Sequence, residues 1–148
     1  MFTKTAEVIT FERVTVKDSD GSIVPFEKIF ETLFNVKKFV FFPESTPNIT
    51  FKTFDDLLKI PHFSRLISMT LWYIPKFDIE NFYVHMKKNK TTKFFLFFDK
   101  SISASYKIRL EEIIDEILST NVFNYKPPII AFDELDEAKE NRLFSLLL

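Results

Sequence analysis

Two histidines and a cluster of acids are the side chains in this sequence that could perform metal or acid–base chemistry. His62 and His85 lie far apart in sequence, and the chain has no cysteine. Because a closed zinc site typically takes four ligands, we expect both histidines to pack in the core or lie at the surface. The chain has one glycine, which excludes the glycine-dependent phosphate loops. The sequence therefore predicts no metal and no cofactor.

The acids form a cluster at Glu111, Glu112, Asp115 and Glu116. Paired carboxylates can act as general acid and general base. However, their three- and four-residue spacing and the neighbouring Arg109 are typical of a solvated helix face with ion pairs. We therefore nominate no catalytic residue. An enzyme that joins a carboxylate and a histidine in one pocket stays open as an alternative function.

Lysines recur in the segment 87–93, Lys-Lys-Asn-Lys-Thr-Thr-Lys, and could contact the phosphates of a nucleic acid. Nucleic-acid-binding domains usually show a basic excess, whereas this chain has 20 Lys and Arg against 21 Asp and Glu. We expect a solvated turn between a helix and a strand, and no nucleic-acid partner. A weak nucleic-acid binder acting through these lysines is the second alternative.

Aromatic residues are the most unusual feature of the composition, with 20 phenylalanines in 148 residues. The runs 39–42 and 94–98 are apolar on both faces of a strand. If helices cover one sheet face only, the other aromatic set is exposed and marks a protein-binding surface. Otherwise a helix, the C-terminal tail or a partner domain covers it. The candidate protein-binding residues are Trp72, Tyr73, Phe95 and Phe97.

These residues belong to apolar segments that are predicted to form strands. The predicted strands span 8–16, 39–42, 67–73, 94–98 and 129–132. The first alternates polar and apolar residues, as an edge strand does. The tail 143–148 is apolar and fits a sixth strand or a helix end equally well.

Amphipathic helical patterns separate these strands. Pro25 is predicted at the first position of a helix, and Thr53 is predicted to cap a second helix in a box with Asp56. Asp78 is the expected cap of a third helix, and the longest helix runs over about 104–119. The expected inner stripe of the first helix comprises Phe26, Ile29, Phe30, Leu33 and Phe34.

Strands separated by helices need crossover connections, which give parallel strands. The sequence therefore predicts one α/β domain over residues 1–148, a mostly parallel sheet in an irregular, leucine-rich-repeat-like stack of helix–strand units. A doubly wound sheet stays open, because periodicity does not show which sheet face each helix covers. The N-terminus lacks the apolar run of a signal peptide, and no segment reaches 18 uninterrupted apolar residues. We expect a cytoplasmic or nuclear protein without a membrane partner.

Several segments together carry a family resemblance. They are Pro25 to Phe30 leading through Asn35-Val36 to Phe39, Leu58 to Phe63, Met86 to Thr91, Tyr106 to Ile117, and Tyr125 to Pro128. Over residues 8–135 they resemble the nematode F-box-associated domains of the FTH type. In that family an N-terminal F-box docks the ubiquitin-ligase scaffold, and the repeat-like part is thought to select substrates.

The resemblance implies a single F-box-associated-like domain that acts as a non-enzymatic protein-interaction module for substrate recognition. Too few residues precede the first predicted strand to form an F-box. We therefore expect a stand-alone or truncated member that retains the recognition half. Its partner would be an unknown protein, with ubiquitin-ligase components reached through another chain.

Overall fold

A computed structural model describes residues 6–44 and 47–147. Its centre is a five-stranded, all-parallel sheet in which the strand order follows the chain order. The strands are β1 (Val8–Glu12), β2 (Lys38–Phe42), β3 (Ser68–Ile74), β4 (Lys93–Phe98) and β5 (Ile129–Ala131). The crossovers contain α1 (Phe26–Glu31), α2 (Thr53–Leu58), α3 (Ile79–Met86) and α4 (Ala104–Leu118). The predicted stack of helix–strand units is confirmed.

Ring contacts show which sheet face the crossover helices cover. Phe26 of α1 packs on Phe39 of β2 with ring centroids 5.9 Å apart, and Phe82 of α3 meets Phe94 of β4 at 5.2 Å. Phe39 and Phe94 both align with Met69 of β3. Because neighbouring residues in register share a face, these contacts all fall on one side. We call it the helix-covered face.

The opposite side of the sheet is the open face. Its apolar positions are partly exposed, whereas the helix-covered positions on the same three central strands are buried. The open-face positions are Val40, Phe42, Thr70, Trp72, Phe95 and Phe97. This one-sided cover and the sequential strand order exclude the doubly wound alternative.

The first strand is shorter than predicted. β1 ends at Glu12 rather than at residue 16, because Arg13 adopts a left-handed backbone with φ of 55°. The Arg13 amide donates to the Phe42 carbonyl, 2.6 Å away, and the chain then leaves the sheet. Past this point Gly21, with φ of 87°, lies in the turn between Lys17 and Ile23, which form an isolated antiparallel bridge.

Three predictions about the first two helices are wrong. The stripe of α1 stops before Phe34, which is 45% exposed, because the helix already ends at Glu31. Helix α1 begins one residue later than predicted, with Pro25 as its cap. Thr53 does not cap α2. The cap position is Lys52, and Thr53 is the first residue of the helix. The Thr53 Oγ1 accepts a hydrogen bond from the Thr50 amide.

The later helices follow the predicted pattern. Asp78 caps α3 by accepting a hydrogen bond from the Asn81 amide, and Ser103 caps α4 in the same way toward Tyr106. The C-terminal tail continues a helix, α5 (Glu137–Ser145), and Asp136 caps this helix at its start. Helix α5 packs against α4 and β5. Within the described ranges, no helix is both long and apolar enough to cross a membrane.

Candidate functional site

The open face leads into a groove of about 730 Å³ at the carboxyl ends of β3, β4 and β5. Aromatic rings form its walls and three acids lie among its lining residues, so we call it the aromatic groove. Its walls include Trp72, Tyr73, Phe97 and Phe144, and its acids are Asp99, Asp133 and Glu140.

The groove is built around a stacked aromatic pair. The rings of Trp72 and Phe97 lie 4.0 Å apart with an interplanar angle of 17°. They meet because β3 and β4 are parallel neighbours in register through Leu71 and Leu96, which places the two following residues side by side on the open face. Phe42 flanks Trp72 at 5.2 Å on one side. Phe144 of α5 flanks Phe97 at 6.5 Å on the other.

Tyr73 joins this cluster through an irregularity in β3. Leu71 pairs with Leu96, but Ile74 pairs with Phe98, so β3 contains one extra residue. Tyr73 takes a left-handed backbone with φ of 58°. Regular alternation would send its side chain to the helix-covered face. Instead its ring lies 5.2 Å from that of Phe42, which also contacts Trp72.

A left-handed backbone at a bulky residue costs about 1–3 kcal/mol. Bulges of this kind often turn a side chain toward a functional site. Here the bulge brings two consecutive aromatic residues, Trp72 and Tyr73, to the same face of the sheet. The backbone strain thus enlarges the exposed aromatic surface, because Tyr73 remains 38% exposed.

Three of the four predicted binding residues, Trp72, Tyr73 and Phe97, line the groove. The fourth, Phe95, is partly exposed on the open face but lies nearer the amino ends of the strands, opposite Ile129. Phe144 and Glu140 line the groove without having been predicted. The apolar tail was a signal for Phe144, but its position depends on the docking of α5.

The histidines lie away from the groove. His62 is buried, stacks on Phe30 at 4.7 Å and places Nε2 2.8 Å from the Phe30 carbonyl oxygen. Burial and the charge of Lys88 lower the pKa of His85, whose cavity is lined by lysine, asparagine, serine, threonine and apolar residues. In the described part of the chain, no three potential ligating side chains of His, Asp or Glu come together as a metal site.

The acid cluster on α4 is a solvated face of ion pairs, as predicted. Lys139 of α5 contacts Glu111 at 2.6 Å and Asp115 at 2.8 Å. Arg109 contacts Glu80 of α3 at 2.6 Å, and this hydrogen bond lowers the pKa of the Glu80 carboxyl. These acids therefore tie α4 to its neighbours.

The lysine run does not form one surface. Lys87 lies over the Tyr83 ring at 4.1 Å and pairs with Glu116 at 3.3 Å. Lys93 lies on the open face and donates from Nζ to the Pro127 carbonyl. Burial lowers the pKa of Lys93 to about 8, with a smaller contribution from the charge of Lys126.

No protein-family model, no curated protein and no solved structure matches this chain. The resemblance to the F-box-associated domains therefore stays a hypothesis that depends on the segments quoted above.

Proposed function

We propose that this chain is a non-enzymatic protein-interaction module that binds a partner protein in the aromatic groove. The observation that carries the proposal is the cluster of partly exposed rings of Phe42, Trp72, Tyr73 and Phe97 on a sheet face that the crossover helices leave open. Tryptophan and tyrosine are enriched among the residues that dominate binding energy. Contiguous exposed apolar surface is typical of interaction sites.

The strained backbone at Tyr73 supports the same proposal. A β3 strand without the extra residue would avoid the positive φ, but Tyr73 would then point away from the groove. The family resemblance supports a more specific form of the proposal. In that form the groove selects the substrate of a ubiquitin ligase, and another chain contacts the ligase scaffold.

Affinity capture with matched variants tests the proposal. The test protein carries Trp72→Ala and Phe97→Ala, and the control carries Ile108→Ala on the outer side of α4, where Ile108 is 63% exposed. We expect a partner that binds the wild type and the control directly after purification. Removing two central aromatic residues should weaken this binding by more than about 30-fold. Circular dichroism checks that both variants fold.

The proposal fails if a directly bound partner keeps the same affinity for the folded Trp72/Phe97 variant. In that case the interaction surface lies elsewhere. Capture of ligase scaffold proteins alone would instead indicate an adaptor that contacts the ligase itself.

A further inference from the structure

We infer that the aromatic groove binds a linear segment of its partner in which an arginine or lysine stands next to an apolar residue. This inference depends on the proposed function and adds the chemistry of the partner. It follows from three features of the groove: unpaired acids, exposed aromatic rings and its bounded shape.

Two acids of the groove lack the ion pairs that several other surface acids make. Glu111 and Asp115 each contact Lys139, and Glu134 contacts Lys107 at 2.9 Å. By contrast, Asp133 and Glu140 make no side-chain ion pair or hydrogen bond to any residue within 6–44 and 47–147.

The charge of the groove is therefore negative. Its lining contains three acids, Asp99, Asp133 and Glu140, against one cation, Lys100. The Asp99 carboxylate accepts hydrogen bonds from the amide and hydroxyl of Ser101 within the turn after β4. Such a groove attracts a cation and repels the phosphates of a nucleic acid.

The aromatic walls suit the same partner. A guanidinium stacks on an aromatic ring and pairs with a carboxylate through a flat, bidentate contact. Tyr73 is 38% exposed, and it lines the groove together with Asp133, which follows β5, and Glu140 of α5. An apolar side chain beside the cation would pack against Phe97 and Phe144, whose rings are 6.5 Å apart.

The groove favours an extended segment over a second copy of this chain. It is bounded by the bulged end of β3 on one side and by Glu140 and Phe144 of α5 on the other. A symmetric dimer places the same patch of both copies face to face. Such a dimer would bring Asp133 and Glu140 of both copies into one interface, and the excess of like charges disfavours this contact.

The test uses a phage-displayed library of random linear peptides, selected on the wild type and depleted on the Trp72→Ala/Phe97→Ala variant. Recovered peptides are synthesised and titrated against the purified protein, with the fluorescence of Trp72, the only tryptophan, as readout. We expect recovered sequences to carry arginine or lysine beside an apolar residue. Their affinity should fall as salt screens the charges.

A charge variant and its control complete the test. Asp133→Asn with Glu140→Gln should weaken these peptides about fivefold, which corresponds to two exposed charge pairs. Glu31→Gln with Asp56→Asn removes the same charge from the helix side and should leave the affinity unchanged. Equal melting temperatures for the two variants exclude an effect on folding.

Each other outcome overturns the inference. Groove-dependent peptides without basic residues, or with affinity unchanged by Asp133→Asn/Glu140→Gln, would contradict a basic partner while leaving the proposed function intact. If no groove-dependent peptide is recovered, or if sedimentation shows a dimer that Trp72→Ala/Phe97→Ala dissociates, a linear segment is the wrong occupant. The affinity-capture experiment tests the proposed function separately.

Discussion

The two faces of the sheet carry the same kinds of side chain in different surroundings. On the helix-covered face, Phe39 and Phe41 are 0% and 4% exposed, and both contact Phe26 of α1. On the open face, Phe42 of β2 and Phe97 of β4 are partly exposed. Apolar residues on both faces of a strand therefore do not require helices on both faces. The crossover helices leave the second face partly to α5, which packs beside β5 and reaches Phe97, and partly to contacts outside the fold.

The open face also differs along its own length. At the amino ends of the strands, Lys38 aligns with Ser68, and Ser68 aligns with Lys93. At the carboxyl ends, Phe42, Trp72 and Phe97 form the aromatic cluster. The polar end keeps this part of the sheet compatible with water. Binding is consequently expected at the carboxyl ends, where the aromatic rings concentrate.

The largest expected difference between the two faces is in stability. Phe39→Ala should lower the free energy of unfolding by about 3–5 kcal/mol, because Phe39 is fully buried and its loss leaves a cavity. Phe97→Ala should cost only about 1–2 kcal/mol, since its ring is already partly exposed. Urea unfolding followed by circular dichroism measures both values. Equal losses would show that the open face is packed like the core.

A smaller difference is expected at the bulge of β3. Tyr73→Ala removes the ring but keeps a side chain at φ of 58°, whereas Tyr73→Gly removes both the ring and the strain. The glycine variant should therefore be more stable than the alanine variant by about 1 kcal/mol. Both should weaken partner binding, because both lack the ring. A glycine variant less stable than the alanine variant would argue against backbone strain at this position.

Lys93, at the amino end of the open face, should make the free energy of unfolding depend on pH. The pKa of Lys93 is about 8 in the folded protein, below the usual 10.5. Between these values the unfolded chain binds more protons, so the free energy of unfolding should rise as pH increases from about 8 toward 10.5. Lys93→Met should remove this slope, and subtracting the two pH profiles cancels other groups. NMR titration of the Lys93 side chain checks the pKa, and an ordinary value would contradict the burial.

Much of the scaffold follows from local sequence signals. The 3.6-residue period predicted the buried side of α1 at Phe26, Ile29 and Phe30, and the cap at Asp78 followed from its position before an apolar stripe. The parallel strand order followed from the helical crossovers. These features depend on residues close together in the chain, so they can be predicted from the sequence.

The shape of the site depends on contacts that local patterns do not contain. Periodicity did not show that all crossover helices cover one face, and no residue type marks the left-handed backbone of Tyr73 or Arg13. The groove is completed by Glu140 and Phe144, which reach it only because α5 docks beside β5. Trp72 and Phe97 could be nominated as aromatic candidates, but their stacking required the register of β3 and β4.

The most direct test of an accessible aromatic groove is the quenching of Trp72 fluorescence. Trp72 is the only tryptophan, so the signal of the native protein reports on the groove alone. We predict that acrylamide quenches the folded protein and that, relative to the quenching of free tryptophan by each ion, caesium is more effective than iodide, because the groove contains three acids and one lysine. A Trp72 signal that no quencher reduces until the protein unfolds would show a covered face and contradict the account.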